Sequence, residues 1–231
     1  MIVRAARAGW RFITDGGYRG TLWLRLRRPR EVFQTANRTR FNRYPVIFAF
    51  VQSQLGPDCD GRILSFGCST GEEVLSLRTY FPQAFIKGID INPGNIARCQ
   101  SRLKTISDPR LAFEVADSVT REETGAYDAI FCMAVLRSWA LKKGNPRCDP
   151  ILRFEDFSRA VRELSRCLKP GGLLIIRHSN FRLCDTAEGN RFEAILRVPF
   201  NRRNGTPIYG PDNRLMPGVC YEDTVFRRAD A

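Results

Sequence analysis

At 231 residues, with 43% hydrophobic residues and a net charge of +13, the chain is long enough to bury the core of one α/β domain. The charge is uneven: residues 1–44 hold 11 arginines against Asp15 and Glu31, a net of +9, and the remaining residues carry only +4. A nucleic-acid binder would carry a basic stripe across the folded body as well, so the charge argues against nucleic acid as a partner; no apolar run approaches the roughly 20 residues of a transmembrane span.

Eight cysteines occur with no C-x-x-C pair, no His/Cys cluster and a single histidine, which leaves no metal set and no disulfide framework. They read as reduced thiols, mostly buried, in a cytoplasmic protein. The N-terminus has arginines but no uninterrupted apolar core of a signal peptide.

In chain order, residues 1–30 interleave arginine with Trp10, Phe12, Leu22, Trp23, Leu24 and Leu26, while Gly16, Gly17 and Gly20 interrupt any long helix and Pro29 closes the segment. Residues 1–44 thus read as a basic arm or cap. With Arg25, Arg27 and Arg28 it can either touch an anionic surface or lay its apolar residues over the mouth of the active site. A helix is expected from Glu31 to Phe41. A second, opened by Pro45 and carrying Ile47, Phe50, Val51 and Leu55, begins a domain that runs to residue 231.

The stretch Arg62 to Glu73 organises the rest. Ile63, Leu64 and Phe66 form a strand that meets the turn Gly67-Cys68-Ser69-Thr70-Gly71, and Glu72 onward reads as a helix. Glycines at both ends of the turn let the backbone approach a ligand, and the free N–H groups of the following helix point into the same space. The next strand, Ala84 to Asp90, ends in a carboxylate placed to accept hydrogen bonds from ribose hydroxyls. A dinucleotide site would need glycine where Ser69 and Glu72 stand, and a carboxylate at the helix start would face its pyrophosphate. S-adenosyl-L-methionine has no phosphate and carries an ammonium and a sulfonium, so the site reads as one for that cofactor.

A helix from Pro93 should bury Ile96, Cys99, Leu103 and Ile106. Leu111 to Val115 makes a third strand that delivers Asp117 and Ser118 to the same sheet edge, and Ala129 to Cys132 makes a fourth. Leu141 to Asp149 is polar, with glycine and proline, and reads as a flexible loop over an acceptor pocket. Phe154, Phe157, Val161, Leu164 and Leu168 mark an amphipathic helix, Leu173 to Arg177 a fifth strand, Ala187 to Val198 a helix, and Thr206–Tyr209 with Tyr221–Arg227 a closing hairpin pair.

The series Gly67-Cys-Ser-Thr-Gly71, Asp90, Glu114-Val-Ala-Asp117, Tyr127-Asp-Ala-Ile-Phe-Cys132 and Leu168-Lys-Pro-Gly-Gly-Leu-Leu-Ile-Ile-Arg-His178 resembles the class I S-adenosylmethionine-dependent methyltransferases. Within that superfamily, GCSTGEE and FC-x-x-VL look most like the chemotaxis-receptor glutamate methyltransferases, although Met133-Ala134 stands where those have Arg-Asn. The resemblance implies a Rossmann-like, doubly wound, mostly parallel seven-stranded sheet with an antiparallel C-terminal hairpin strand and helices on both faces. It implies cofactor contacts from Gly67, Cys68, Ser69, Gly71, Glu72, Glu73, Asp90, Ile91, Asp117, Ser118, Cys132 and Met133, and no metal. The acceptor would be a small-molecule or protein carboxylate or hydroxyl, with His178 as the base for a hydroxyl and Arg137, Arg177 and Arg182 as clamps for an acid. A binding module that keeps the cofactor and has lost turnover, or a nucleic-acid methyltransferase, are the alternatives.

Overall fold

Short apolar runs, each closed by a turn, become the strands of a single sheet in the computed structural model, which describes residues 10, 14–27, 33, 39–142, 144–199 and 206–230. The strands are β1 (Arg62–Phe66), β2 (Phe85–Asp90), β3 (Leu111–Val115), β4 (Tyr127–Met133), β5 (Leu168–Arg177), β6 (Phe192–Arg197) and β7 (Asp223–Arg228). Their order is β3-β2-β1-β4-β5-β7-β6. The first five are parallel, and β7 runs antiparallel to both β5 and β6. This is the expected Rossmann-like, mostly parallel sheet with an antiparallel C-terminal element.

Because side chains alternate along a strand, each strand feeds two cores. Ile63, Ile86, Ala129, Phe131 and Ile175 pack beneath the helices α2 (Pro45–Leu55), α3 (Glu72–Tyr80) and α4 (Pro93–Ile106). Leu64, Phe66, Ile130, Cys132, Leu174 and Ile176 face the other way, against Phe157, Val161 and Leu164 of α5 (Phe154–Cys167). The order reverses between β1 and β4, which places the crevice for a ligand at the carboxyl ends of those strands.

Four expectations need correction. The glycines near the N-terminus do not break a helix: α1 spans Gly16–Arg27, and they serve its docking on α4. A Cβ on Gly94 would lie 2.2 Å from the Gly16 backbone, so only glycine permits this approach. Residues 187–198 hold one 3-10 turn, Gly189–Arg191, followed by β6, since β7 needs an outer partner and its pairing overrides local helix propensity. Thr206–Tyr209 is no strand; it makes one isolated bridge, Tyr209 to Leu215, while the second arm of the expected hairpin is β7. On α4, Ile106 is 43% exposed instead of buried, because the helix ends there. The expected helix from Glu31 lies mostly outside the described residues, and Thr39 to Phe41 are not helical. Arg28 and Pro29 of the basic arm also lie outside them.

The loop from Leu141 is tied down where it can be described. Cys148 is buried with its N–H on the Asn213 carbonyl at 3.0 Å, and Leu215 N–H reaches the Pro146 carbonyl at 2.9 Å.

Candidate cofactor and acceptor site

The turn after β1 is built from left-handed backbone. Gly67, Ser69 and Gly71 have φ of 76°, 52° and 89°. Gly67 and Cys68 N–H groups both donate to the Ile89 carbonyl, at 2.8 and 2.9 Å, which fastens the turn to β2. Gly67 also lies so close to Val135 that an added Cβ would stand 2.4 Å from a methyl group. The chain after β4 thus packs directly on the turn.

Asp90, at the tip of β2, is 9% exposed. Its Oδ2 accepts from Ser69 N–H at 2.9 Å, and its Oδ1 from Asn92 N–H at 2.8 Å and Asn95 Nδ2 at 3.1 Å. Burial raises its pKa, against the pull of those three donors. Oδ2 keeps a lone pair that a ribose hydroxyl can use.

The neighbouring glutamates diverge. Glu73 is half-buried, receives the Ser65 hydroxyl at 2.7 Å, and lines a cavity of about 50 Å³ with Gly67, Cys68, Ser69, Met133 and Ala134. Burial pushes its pKa up to about 8, with Ser65 and Arg43 opposing. Glu72 turns the other way, to the Thr70 hydroxyl at 2.6 Å and to Arg102 at 3.3 Å, at the start of α3. There a carboxylate favours the helix N-terminus.

The remaining expected cofactor residues fall into separate places. Cys132 packs in the core beneath α5, while the next two residues reach the cavity. Asp117 and Ser118 border a second cavity of about 20 Å³ beneath Phe33. Ile91 lies in an apolar hollow of about 990 Å³ between α1 and α4.

Sequence reading missed the part played by Thr39, Arg40, Arg43 and Tyr44, which wall the Glu73 cavity from above. Their only sequence signal is position, immediately before the helix that Pro45 opens. Among the described N-terminal residues, α1 also packs on α4, and Phe33 is buried in the cluster that holds Phe66.

At the tips of β4 and β5 the backbone is again left-handed, with φ of 61° at both Ala134 and His178. Such conformations cost on the order of 1–3 kcal/mol each and are held by their surroundings; here the Ala134 N–H donates to the Arg177 carbonyl at 2.8 Å. Burial, then Arg177, Arg137 and Arg43, push the His178 pKa down to about 3. Arg177 is buried and donates to the carbonyls of Val198 and Pro199 at 2.6 and 3.0 Å. Arg182 is paired with Asp185 through two contacts of 2.8 and 2.6 Å. Arg137 is buried, with its guanidinium 3.8 Å from the centre of the Trp139 ring. Among the described residues no helix is long and apolar enough to cross a membrane.

Residues 64–176 match the protein-family model described as a methyltransferase domain. Trans-aconitate 2-methyltransferase of Deinococcus radiodurans is 29% identical over 58% of this chain and 46% of its own length. The enzyme of that name from Methylobacterium radiotolerans is 29% identical over 70% of this chain and 55% of its own. The chain thus spans about half the length of the curated relatives it matches. The solved structure of phosphoethanolamine N-methyltransferase 2 from Haemonchus contortus, with S-adenosylhomocysteine, overlaps 61% of this chain and 29% of that one, at 20% identity and a TM-score of 0.45. Over residues 64–176 the chain is thus similar to methyltransferase domains, in keeping with the expected cofactor, S-adenosyl-L-methionine.

Proposed function

We propose that the protein methylates a carboxylate oxygen of a small acid. The observation that carries this reading is the acceptor side itself, where Arg137 and Arg177 are buried close to His178, and burial with the charges of Arg177, Arg137 and Arg43 leaves that histidine too weakly basic to take a proton from a hydroxyl. A carboxylate needs no base, and it is the acceptor such a field attracts. Two similarities support the same bond: the curated relatives are named for trans-aconitate, a polycarboxylate, and the GCSTGEE motif resembles enzymes that esterify glutamate.

The cofactor would be held in three parts. Glu73 would answer the methionine ammonium, Asp90 would take the ribose, and Ile91 on one side and Asp117 with Ser118 on another would flank the adenine. Gly67, Cys68, Ser69 and Gly71 supply the turn, and Met133 with Ala134 would line the space for the transferable group. The chemistry the bound cofactor supplies is an electrophilic methyl on a sulfonium, displaced in line by the acceptor oxygen as the carbon–sulfur bond breaks. The residues' work is therefore positioning, which in well-oriented reactions contributes roughly 7–11 kcal/mol. Opposite charges vanish as the bond forms, so the apolar wall of Phe48, Met133 and Ala134 favours the reaction by keeping water out. His178, neutral throughout, orients and does not take a proton. The N-terminal chain closes the site from above.

The test is turnover of methyl-labelled cofactor against a panel of short carboxylic acids, trans-aconitate among them. Esters release their label as methanol in mild base, and that is the expected result. Label that survives base would mark nitrogen or ether products and overturn the carboxylate reading. Tight cofactor binding with no turnover on any acid would favour the silent module.

A further inference from the structure

Arg137 differs from the other cations at this end of the sheet. It is 5% exposed, its Nε is buried with no hydrogen-bond partner, and among the described residues no carboxylate lies within ion-pairing distance of it. Arg177 and Arg182 are both satisfied by carbonyls or by Asp185. A buried cation is costly unless an anion answers it, and the face of Trp139 offsets only part of that cost. The Tyr44 hydroxyl is likewise buried with no partner, in the wall of the Glu73 cavity, and Trp139 belongs to the same wall. Two orphaned donors thus accompany one cavity.

The backbone around them is fixed. Arg137 N–H closes on the Val135 carbonyl at 2.8 Å, Ser138 N–H donates to Asn180 Oδ1 at 2.8 Å, and Asn180 N–H returns to the Leu136 carbonyl at 3.3 Å. The turn after β4 therefore presents Arg137 from a rigid support, as a specificity group requires. The methionine end of the cofactor has its own charged neighbours, Arg40 and Glu73, in the cavity wall. That leaves Arg137 and Tyr44 for the acceptor.

We propose that Arg137, stacked on Trp139 and assisted by the Tyr44 hydroxyl, receives a second carboxylate of the acceptor, so that the substrate is a di- or polyacid esterified at one group while another is held. This rests on the carboxylate reading above and adds to it a residue and a substrate class. Guanidinium and carboxylate match in a two-point contact, and a held second group fixes the distance to the reacting oxygen.

The experiment compares wild type, Arg137→Met and Tyr44→Phe on succinate, fumarate, glutarate and tricarballylate, each against its monomethyl ester. Wild type should prefer the best polyacid over its ester by about 100-fold in kcat/KM, the scale of a buried charged pair. Arg137→Met should erase most of that preference, and Tyr44→Phe should lower it about tenfold. S-adenosylhomocysteine affinity should stay within about twofold of wild type in Arg137→Met, with a melting temperature no lower. A preference that survives in Arg137→Met overturns the proposal, and so does a tenfold loss of S-adenosylhomocysteine affinity, which would place the guanidinium on the cofactor. If wild type methylates no carboxylate at all, the carboxylate reading falls. Calorimetry of the same polyacids on S-adenosylhomocysteine-loaded protein then decides separately: binding lost in Arg137→Met supports the anion site, and no binding in wild type removes it.

Discussion

Around the turn Gly67–Gly71 and the tip of β2, the carboxylates are already answered: Asp90 by three N–H donors and Glu73 by Ser65. At the tips of β4 and β5, and at Arg43 and Tyr44 just before α2, the balance reverses: three arginines act on His178, and a guanidinium nitrogen of Arg137 and the Tyr44 phenol have no hydrogen-bond partner. The donor half of the site is assembled before any ligand arrives, whereas the acceptor half is electrostatically incomplete. One half can be described from the protein alone. The other is defined by what would neutralise it.

The most damaging change to the donor half should be Glu73→Gln. A neutral amide cannot answer a buried ammonium, so S-adenosylhomocysteine affinity should fall about 100-fold in calorimetry; an unchanged affinity would move the ammonium elsewhere. Asp90→Ala comes next, with at least a roughly tenfold loss as a ribose hydrogen bond to a charged group disappears. If affinity holds, Asp90 serves only the turn.

A subtler effect separates the halves by pH. Glu73 titrates near 8 when folded against a usual 4.5, so the folded state holds a proton that the unfolded state releases. Its contribution to stability is complete below about pH 4.5 and is lost progressively as pH rises through about 8. Denaturant midpoints of the ligand-free protein should decline across that window, and Glu73→Gln should flatten the decline. A slope unchanged in Glu73→Gln would assign it to other groups. The smallest effect is on the acceptor side: Arg137→Met should stabilise the fold, by up to about 1–4 kcal/mol, since it removes a buried, unanswered charge. Destabilisation would mean that Arg137 holds the structure together.

The parallel half of the sheet was legible because its signals are local. Ile63 to Phe66 followed by Gly67, and Phe85 to Asp90 followed by Pro93, each state a strand, a turn and a helix within a few residues. β6 was not, since Phe192–Arg197 has the spacing of a helix and becomes a strand only by pairing with β7, distant in sequence. The glycines of α1 misled for a related reason: their use lies in contact with Gly94 and Asn92, which no local pattern announces. Around the candidate site, the turn after β1 and the places of Asp90 and Asp117 at or just past strand ends were legible from spacing. Glu72 and Glu73 could not be told apart, because which of two adjacent carboxylates turns inward depends on Ser65 and Arg102. The same holds for Arg137 and Arg182, both near strand ends, of which only the second has an acid three residues on.

The most direct measurement is a titration of S-adenosylhomocysteine into the full chain at neutral pH, repeated in buffers of different ionisation enthalpy. Binding should be saturable and release close to one proton, as Glu73 ionises beside the arriving ammonium, and Glu73→Gln should abolish the release. Binding with no proton released, or no heat at all in any buffer, would contradict it.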